Sequence, residues 1–544
     1  ALAGLAVVTA AVIAVAAVSP RPHAAWQCRI GPVKKPPRGS PPNVVMIVLD
    51  TLTAVRMERF GYERATMPGL TRFAEQHGDV VMSSQSPATW TGAAHASMFT
   101  GAWPSSHGCR MPRYGDPDPP ASLRYPMFPH VPTLAEYLGG HGYRTAALFS
   151  NFSVPGLGLE RGFDDVDTRP GDGYVGKLLG WAYTGVGPLK PGGWVWNNLP
   201  PSLRRHCLGF DRLRPPDRRA DEMNVLARRW IETHGAQPYF LCLNYFDPHE
   251  PYLPRKAESL PGADRPGFGL VPNKLYNAWL EGRGEMPAAL VQELAALYDE
   301  ELRDLDRAVV DLLEWFRART DFDRTLLIIV SDHGEEFMEH GLMRHGTDVY
   351  QQQIAVPLFI RLPRPLPDDP IEPGPQFQLT DLFATIAEII GDPHPPKTEG
   401  SPWGRGRDYA LTEMFVHRPG VQRIDREMHA VTFGAIKYIQ SRSATVKEEM
   451  YDLAADPQER DNILASHPDL AERARQILAE RQAMLDAQGT RQVREQRTSM
   501  EALRHLGYLD TEPTRRKRPP ASATAPPAPS TRPQDAPVDS HTAD

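Results

Sequence analysis

The stretch VVMIVLD at residues 44–50 decides the fold, because six consecutive apolar residues lead directly to Asp50. A short apolar run of this kind is typical of a strand that is buried on both faces. The stretch LLIIVSDH at residues 326–333 has the same form and ends on Asp332 and His333. Open α/β sheets bind ligands outside the carboxyl ends of their parallel strands, so these three side chains are predicted to face one crevice. Carboxylate and imidazole groups in such a crevice suit a metal ion.

Helix and strand patterns alternate between these two stretches. Residues 133–138 indicate a helix and 143–149 a strand, and a helix over 217–234 is followed by a strand over Tyr239–Tyr245. Alternation of this kind predicts an α/β fold, in which helices cover both faces of a large, mainly parallel sheet. We place this catalytic domain at residues 41–395.

A smaller C-terminal α+β domain is predicted over residues 396–510. Antiparallel strands are expected at Ala430–Tyr438 and Met450–Leu453, with a helix from about residue 467 to about 487 packed on them. The tail from 511 to 544 is rich in Pro, Ala, Ser and Thr. Because such a segment buries too little apolar surface to offset its ordering, it is predicted to be disordered.

The N-terminal residues form a separate apolar segment. Residues 1–18 contain only Ala, Leu, Gly, Val, Ile and Thr, which is about the length that crosses a bilayer core. We interpret residues 1–19 as a membrane anchor, and a cleaved signal segment is the alternative. Residues 20–40 are a Pro-rich linker, and their basic residues favour a cytoplasmic flank by the positive-inside rule.

Composition excludes some function classes. The chain has 544 residues, of which 41% are apolar, and a formal net charge of −7. A negative net charge gives no electrostatic footprint for nucleic acid. The four cysteines show neither CxxC spacing nor the density of a disulfide scaffold, although one disulfide bond remains possible.

Further motifs follow in a fixed order. They are PNVVMIVLDT at 42–51, TGAAHASMFTG at 91–101, HG at 107–108, YFDPHEPY at 245–252, SDHGEEF at 331–337, HG at 345–346, VPL at 356–358, MYDL at 450–453 and DP at 456–457. Together they resemble the sulfatase family within the alkaline phosphatase superfamily, over roughly residues 41 to 470. The resemblance implies an enzyme that works in the periplasm or elsewhere outside the cytoplasm, and residues 1–19 would anchor it to the membrane.

Two departures from the family pattern affect the mechanism. Sulfatases carry a Cys or Ser that is oxidised to formylglycine, and the same register here places Thr91 at that position and His95 at the position of the motif's Arg. Threonine cannot become formylglycine. Calcium-binding members also have two consecutive Asp after the first strand, whereas this chain has Asp50 followed by Thr51.

These departures define an alternative site. Asp50, Thr91, Asp332 and His333 are predicted to hold one divalent metal ion, with the Thr91 hydroxyl as the nucleophile. A mixed oxygen and imidazole shell favours zinc or manganese, and calcium is possible. The resemblance is then closest to members that use Thr, such as phosphoethanolamine and glycerol-phosphate transferases and nucleotide phosphodiesterases.

Three histidines complete the predicted catalytic set. His95 would support Thr91 or touch the substrate, while His249 and His345 would steady the transferred group, protonate the leaving alcohol or bind a second metal ion. His345 stands where sulfatases often have Lys, and we expect this imidazole to titrate near neutral pH. The structural alternatives are support of the turn by Glu335 and Glu336, a turn role for Asp247, and packing roles for His107 and His340.

The sequence therefore favours a metal-dependent hydrolase of sulfate or phosphate esters that acts through a covalent Thr91 intermediate. One alternative is a phosphoethanolamine- or glycerol-phosphate-type transferase or a phosphodiesterase. A second is a catalytically inactive, sulfatase-like binding protein, although clustered ionisable groups argue against it. The expected substrate is a small-molecule, glycan or lipid ester, and its organic part is not specified by the sequence.

Overall fold

A seven-stranded sheet forms the centre of the larger domain. The structure, a computed structural model, describes residues 41–484 apart from 113–123, 152–153, 155, 169–217, 256–268, 365–375, 393, 404, 417–422 and 444. The predicted anchor, linker and C-terminal tail thus lie outside the described residues, as does most of the segment between β4 and the next helix. Among the described helices, none has both the length and the apolar character that a bilayer crossing needs.

The strands of the larger domain follow the predicted alternation. Their bounds are β1 Asn43–Leu49, β2 Val80–Gln85, β3 Arg144–Phe149, β4 Asp165–Asp167, β5 Tyr239–Tyr245, β6 Thr325–Val330, β7 Glu336–Phe337, β8 Met343–Arg344 and β9 Ala355–Arg361. The large sheet has the order β2-β9-β6-β1-β5-β3-β4, and β7 pairs with β8 in a separate ribbon. Strands β6, β1, β5, β3 and β4 are parallel, and β9 runs antiparallel to β6 and β2. The prediction of a mainly parallel α/β sheet is confirmed.

Helices cover both faces of this sheet. They are α1 Pro68–His77, α2 Thr91–Thr100, α3 Pro104–His107, α4 Leu134–Gly140, α5 Ala220–His234, α6 Asn273–Leu280, α7 Ala288–Arg317, α8 Gln351–Ile354 and α9 Asp381–Ile389. Short 3₁₀ turns lie at Ala54–Arg56, Glu58–Phe60, Phe322–Arg324 and Leu464–Ser466. Helix α4 begins with a capping box between Thr133 and Glu136, in which each side chain accepts a hydrogen bond from the other residue's backbone.

Alternate residues of β1 supply the two halves of the core. Val45, Ile47 and Leu49 pack with the apolar face of α7, whereas Val44, Met46 and Val48 pack on the opposite face with α2 and α9. Because successive side chains of a strand point to opposite faces, an unbroken apolar run is required in a strand covered on both sides. All seven residues of β1 are buried, which fixes the position of Asp50 at its carboxyl end.

The smaller C-terminal domain contains an antiparallel sheet. Its strands are β10 Ala410–Val416, β11 Arg426–Phe433, β12 Ile436–Arg442 and β13 Val446–Asp452, in that order, and a helix, α10, spans 468–484. Ala471, Ala474 and Leu478 of this helix pack on the sheet, as expected. The boundary near residue 395 stays a prediction.

The predicted strand Ala430–Tyr438 is wrong in one respect, because it spans a hairpin. Strand β11 ends at Phe433, and Phe433 pairs with Ile436, the first residue of β12. Gly434 has a φ of 59°, a left-handed conformation that glycine adopts without steric cost, so the chain reverses within two residues. The single glycine in an otherwise strand-like run was the available signal for this turn.

A buried ion pair ties the smaller sheet to the larger domain. Nζ of Lys437 in β12 lies 2.6 Å from Oε1 of Glu459, and neither side chain is exposed. Oε2 of Glu459 also accepts a hydrogen bond from the backbone N–H of Gln351, the first residue of α8, at 2.7 Å. Burial lowers the pKa of Lys437, and the Glu459 carboxylate acts in the opposite direction. Each partner therefore depends on the other for charge compensation.

Replacing Lys437 with Met should destabilise the protein by about 3–5 kcal/mol, because it leaves Glu459 as an uncompensated buried charge. The double variant Lys437→Met/Glu459→Gln should lose less, since the neutral amide oxygen can still accept the Gln351 N–H. Urea unfolding of the three proteins measures both effects. Equal losses in the single and double variants would contradict the ion-pair interpretation.

Candidate active site

The carboxyl ends of β1 and β6 bring together three ionisable side chains. Asp50 follows β1 directly, and Asp332 and His333 follow β6, which is its neighbour in the sheet. All three residues are fully buried. One potential ligand atom from each lies within 4.8 Å of the other two. The structure thus assembles the three side chains that the sequence placed in one crevice.

Hydrogen bonds hold each carboxylate by only one of its oxygens. Oδ1 of Asp332 accepts from the backbone N–H groups of Thr51 at 3.2 Å and His333 at 2.9 Å. Oδ2 of Asp50 accepts from Nδ2 of Asn151 at 2.7 Å and Nδ2 of Asn244 at 3.5 Å. Within the described part of the chain, the other two oxygens, Asp50 Oδ1 and Asp332 Oδ2, accept no hydrogen bond of good geometry, although Nδ1 of His95 lies 3.4 Å from Asp332 Oδ2.

The imidazole of His333 completes this arrangement. Its Nδ1 donates to the carbonyl oxygen of Gly334 at 3.0 Å, and because a carbonyl can only accept, Nε2 carries the lone pair. Nε2 lies 3.8 Å from Oδ1 of Asp50 and 3.5 Å from Oδ2 of Asp332. Three buried electron-pair donors therefore face one another, which fits a divalent cation.

The charges of the two carboxylates, Asp50 and Asp332, also favour a cation. Burial raises the pKa of Asp50 well above its usual value, and the negative charge of Asp332 raises it further. Burial acts in the same direction on Asp332, but the neighbouring His333 and hydrogen bonds bring the pKa of that carboxyl below its usual value. Two adjacent buried carboxylates are costly unless a positive charge compensates them. Oxygen and imidazole donors together suit zinc or manganese.

Thr91 lies beside these donors at the start of α2. Its Oγ1 is 3.3 Å from Nε2 of His333 and 3.4 Å from Nδ2 of Asn151. The side chain is at the amino end of a ten-residue helix, where backbone N–H groups and the helix dipole favour a bound anion. The predicted nucleophile and the predicted metal ligands are therefore neighbours.

His95 forms a hydrogen bond with the backbone of Thr91. It lies one helical turn after Thr91, and its Nδ1 donates to the Thr91 carbonyl oxygen at 2.9 Å. The ring is fully buried and meets the edges of Phe99 and Phe149 at centroid distances of 5.9 and 6.0 Å. Of the two roles predicted for His95, burial favours support of the helix turn over contact with substrate.

His345 and His249 form a row of rings next to His333. The centroid of His345 is 4.4 Å from that of His333 and 4.9 Å from that of His249. Nδ1 of His249 donates to the Glu250 carbonyl at 2.7 Å, and Nδ1 of His345 lies 3.1 Å from Oε1 of Glu335. The metal-type cluster found among the described residues contains neither His249 nor His345, so a second ion stays a prediction.

The expectation that His345 titrates near neutral pH is wrong. Burial lowers its pKa to about 4, and burial likewise lowers the pKa of His249 to about 3. A charged imidazole loses its hydration in this crevice, and this loss outweighs the attraction of nearby carboxylates. Both rings are consequently neutral at pH 7.

Asn151 and Asn244 are site residues that sequence reasoning missed. Asn244 is the penultimate residue of β5, and Asn151 follows β3 by two positions. Both are polar residues at the carboxyl ends of apolar strands, β5 next to β1 and β3 next to β5, which is the same signal that identified Asp50. Their amide groups donate to the Asp50 carboxylate and orient its second oxygen toward His333.

Thr51, which stands where relatives that bind calcium have a second Asp, contributes its backbone instead of its side chain. Its N–H donates to Asp332, and its carbonyl accepts from the hydroxyl of Tyr298 at 2.8 Å. The φ of Thr51 is 59°, which is strained for a β-branched residue. Such strain persists only where surrounding contacts fix the backbone, and it is frequent at functional sites.

The structure also assigns partners to the remaining polar candidates. Glu336 accepts from the backbone N–H groups of His340 and Leu342, as expected for a residue that supports the turn. Oε1 of Glu335 lies 3.1 Å from Nδ1 of His345, and a turn role for Glu335 stays a prediction. Asp247 accepts from the N–H of Ala220 at the start of α5, at 2.9 Å.

Two histidines and two cysteines have packing roles. His107 accepts from the N–H of Cys109 and hydrogen-bonds to Ser97, while His340 stacks on Tyr350 with a centroid distance of 3.7 Å. Cys109 and Cys242 are buried free thiols, and the other two cysteines lie outside the described residues.

Comparison with known proteins identifies the family of this chain. The family described as Sulfatase matches residues 42–391. The chain belongs to the sulfatase family. The N-acetylgalactosamine-6-O-sulfatase of Bacteroides thetaiotaomicron is 23% identical over 298 residues, which are 48% of this chain and 50% of that protein. The choline-sulfatase of Rhizobium meliloti is 24% identical over 367 residues, which are 62% of this chain and 68% of that one. The chain thus matches about half the length of the first relative.

Solved structures support the fold of this sulfatase-family chain. The phosphonate monoester hydrolase of Agrobacterium radiobacter superposes with a TM-score of 0.54 and 21% identity, and covers 82% of this chain and 96% of its own. A protein solved in complex with its substrate D-glucosamine-2-N,6-O-disulfate gives a TM-score of 0.56 at 15% identity, with 82% and 99% covered.

Buried neutral histidines should make the protein less stable in acid. Burial lowers the pKa of His107 to about 3, whereas an unfolded histidine has a pKa of about 6.5. Between these values the unfolded chain binds the proton more readily, so the stability due to this group is present above pH 6.5 and falls as the pH decreases. The variant His107→Gln should reduce the pH dependence of the unfolding free energy by up to about 1.4 kcal/mol per pH unit between pH 6 and 4.

Urea unfolding at several pH values measures this slope. Ser97→Ala is the matched control, because it removes the hydrogen bond to His107 and keeps the titrating ring. The control should lower stability without changing the slope, and an unchanged slope in His107→Gln would contradict the interpretation.

Proposed function

We propose that this sulfatase-family chain is a metal-dependent hydrolase of sulfate or phosphate esters, with Thr91 as its nucleophile. One observation carries the proposal. Two carboxylate oxygens that accept no hydrogen bond of good geometry among the described residues converge with Nε2 of His333, directly beside the Thr91 hydroxyl. A binding protein without catalytic activity has no physical need for such costly, clustered buried charges.

Asp50, Asp332 and His333 would hold the metal ion. When bound there, a divalent ion supplies positive charge that offsets the charge of the transferred group and favours the ionised form of a nearby hydroxyl. Asn151 contacts both Asp50 and the Thr91 hydroxyl, so it orients the nucleophile relative to the ligand set. The N-terminus of α2 adds backbone N–H groups that attract the anionic ester.

The proposed reaction has two balanced steps. In the first, Oγ1 of Thr91 bonds to sulfur or phosphorus, the bond from that atom to the ester oxygen breaks, and the alcohol leaves with a proton. In the second, water attacks the same atom, its oxygen stays with the released sulfate or phosphate, and Thr91 regains its proton. The alternative reaction classes change one reactant each. In a transferase, an acceptor alcohol would replace water in the second step, and in a phosphodiesterase the substrate would be a diester.

We propose that His249 and His345 move the protons of these steps. Nδ1–H of neutral His249 donates to the Glu250 carbonyl, which leaves a lone pair on Nε2. Nε2 can therefore accept a proton from water. Protonation of the leaving alcohol requires an imidazolium, and an anionic ester bound beside these rings would raise their pKa.

We further propose that phosphorus esters turn over faster than matching sulfate esters. Thr91 cannot provide the hydrated aldehyde through which formylglycine enzymes release sulfate, whereas in-line displacement suits a phosphorylated threonine. The structural likeness to a phosphonate monoester hydrolase is compatible with this view. The names of the curated relatives, which include a sulfatase of an amino sugar and a choline-sulfatase, support a glycan or small-molecule substrate.

Removing one carboxylate of the ligand set should remove the metal. Elemental analysis of the purified protein should find about one divalent ion per chain, and Asp332→Asn should lose both that ion and turnover. Asp247→Asn is the matched control, because the amide oxygen can still accept the Ala220 N–H and the residue lies outside the cluster. Active wild-type protein free of zinc, manganese and calcium would refute the metal proposal.

Removing the Thr91 hydroxyl should abolish turnover and spare the metal. Thr91→Val replaces the hydroxyl with a methyl group of similar size, and loss of a covalent nucleophile lowers kcat by roughly a thousandfold or more. Rates with 4-nitrophenyl phosphate and 4-nitrophenyl sulfate, together with the metal content, provide the test, and Thr91→Ser serves as the control that keeps a hydroxyl. A strong preference of the wild-type enzyme for the sulfate would show that the assignment of Thr91 is wrong.

A further inference from the structure

A buried carboxylate binds the ring of His345, one of the two histidines to which we assign proton transfer. Nδ1 of His345 lies 3.1 Å from Oε1 of Glu335 and 3.4 Å from Oε2. No part of the Glu335 side chain is exposed, whereas His345 keeps 19% of its side chain exposed. Within the part of the chain that the structure describes, these contacts are the hydrogen bonds of the His345 ring, and both involve Nδ1. The other ring nitrogen, Nε2, is thus available to a reactant.

The shape of this contact favours Nδ1–H as the donor. Two similar distances fit one N–H that is shared between both oxygens of a carboxylate, which can only accept. With its hydrogen on Nδ1, the neutral ring of His345 carries its lone pair on Nε2. Burial raises the pKa of Glu335, which favours the reverse arrangement, in which a protonated Glu335 donates to Nδ1 and the ring hydrogen is on Nε2. The two arrangements differ in the nitrogen that carries hydrogen, which can be measured.

The backbone that carries Glu335 is closely packed. Glu335 follows Gly334, whose N–H donates to the carbonyl oxygen of Gln353 at 2.8 Å. A Cβ atom placed on Gly334 would overlap the carbonyl oxygen of Gln352, so this position requires glycine. Since His333 directly precedes Gly334, the segment that holds Glu335 in place also carries a proposed metal ligand.

The chain beside His345 is fixed by a second carboxylate. Arg344, the preceding residue, has a φ of 71°, a left-handed conformation that is uncommon for a residue other than glycine. Its guanidinium binds both oxygens of Glu250, at 2.5 and 2.8 Å. The carbonyl oxygen of Glu250 also accepts from Nδ1 of His249 at 2.7 Å. Glu250 thus anchors the chain at both histidines, and the hydrogen bond to Glu335 sets the rotation of the His345 ring.

We propose that Glu335 is a positioning residue, which holds His345 in the Nδ1–H form and leaves the Nε2 nitrogen for proton transfer at the ester. Without this acceptor, the ring would be free to rotate and to change tautomer. Nε2 would then carry the hydrogen in part of the molecules, and those molecules could not use it to take up a proton. This inference rests on the proposed ester hydrolysis and deepens it.

The tautomer of His345 can be measured without any assay of activity. NMR of protein in which the histidine nitrogens are isotopically labelled shows which nitrogen carries hydrogen, and the spectrum of His345→Gln identifies the His345 signals. In the wild type the hydrogen should be on Nδ1, and Glu335→Leu should move it at least partly to Nε2. Hydrogen on Nε2 in the wild type, or no change in Glu335→Leu, would overturn the inference. Because the wild-type spectrum needs no variant of Glu335, this test stays decisive if Glu335→Leu does not fold.

Kinetics separate positioning from a general structural role. Phenol is a poor leaving group that needs a proton, whereas 4-nitrophenol leaves without one, so loss of acid assistance slows phenyl phosphate more. Glu335→Leu should lower kcat/KM for phenyl phosphate roughly tenfold more than for 4-nitrophenyl phosphate, the effect of one lost hydrogen bond to a charged group. Glu335→Gln keeps an acceptor oxygen and should lose less. Equal losses with both esters, or a larger loss in Glu335→Gln, would contradict the positioning role.

Glu413→Leu is the matched control, because Glu413 is also a buried carboxylate, lies in β10 outside the proposed catalytic set, and accepts from the Ser105 hydroxyl at 2.7 Å. It should lower stability and change neither the His345 tautomer nor the ratio of the two kcat/KM values. The same changes in this control would overturn the inference. If the wild type hydrolysed neither these esters nor the matching sulfates, the proposed function would fail, and the tautomer measurement would still decide the role of Glu335.

Discussion

The burial of two carboxylates at adjacent strand ends is the constraint on which the site depends. Asp50 and Asp332 have no exposed surface and lie against His333, although each buried charge costs several kilocalories per mole when it is not compensated. The parallel pairing of β1 with β6 makes this proximity unavoidable, because it aligns the carboxyl ends of both strands. The divalent cation that we propose would resolve the conflict; in its absence, burial and the charge of Asp332 raise the pKa of Asp50.

The surrounding polar groups hydrogen-bond to one oxygen of each carboxylate and so fix its orientation. Asn151, Asn244 and the backbone of Thr51 each bind an oxygen on the outer side of the pair, so the two remaining oxygens face His333. The strained φ of Thr51 is the local cost of this arrangement, and the Tyr298 hydroxyl that binds its carbonyl helps to maintain it. The site is thus held in place by hydrogen bonds from four strand ends and the long helix α7.

The histidines differ in how deeply they are buried. His95 and His107 are enclosed by the fold and bind backbone or hydroxyl groups, whereas His345 keeps 19% of its side chain exposed. The segment that carries His345 continues into α8, whose first N–H binds Glu459 of the Lys437 pair. The smaller sheet therefore supports the edge of the site as well as its own core.

The sequence by itself determined the mainly parallel sheet and the strand-end positions of Asp50, Asp332 and His333. An apolar run that ends in Asp or Asp-His has one low-energy place in an α/β fold, a central strand with its polar end in the crevice. Tertiary structure alone decided which polar side chains meet there. Asn244 and Asn151 join the site because β5 lies next to β1 and β3 lies next to β5, and the lowered pKa of His345 follows from burial that no local pattern encodes. At the Gly434 hairpin, a single residue interrupts an otherwise continuous strand pattern. The chain turns back there because glycine adopts the left-handed backbone conformation without steric cost.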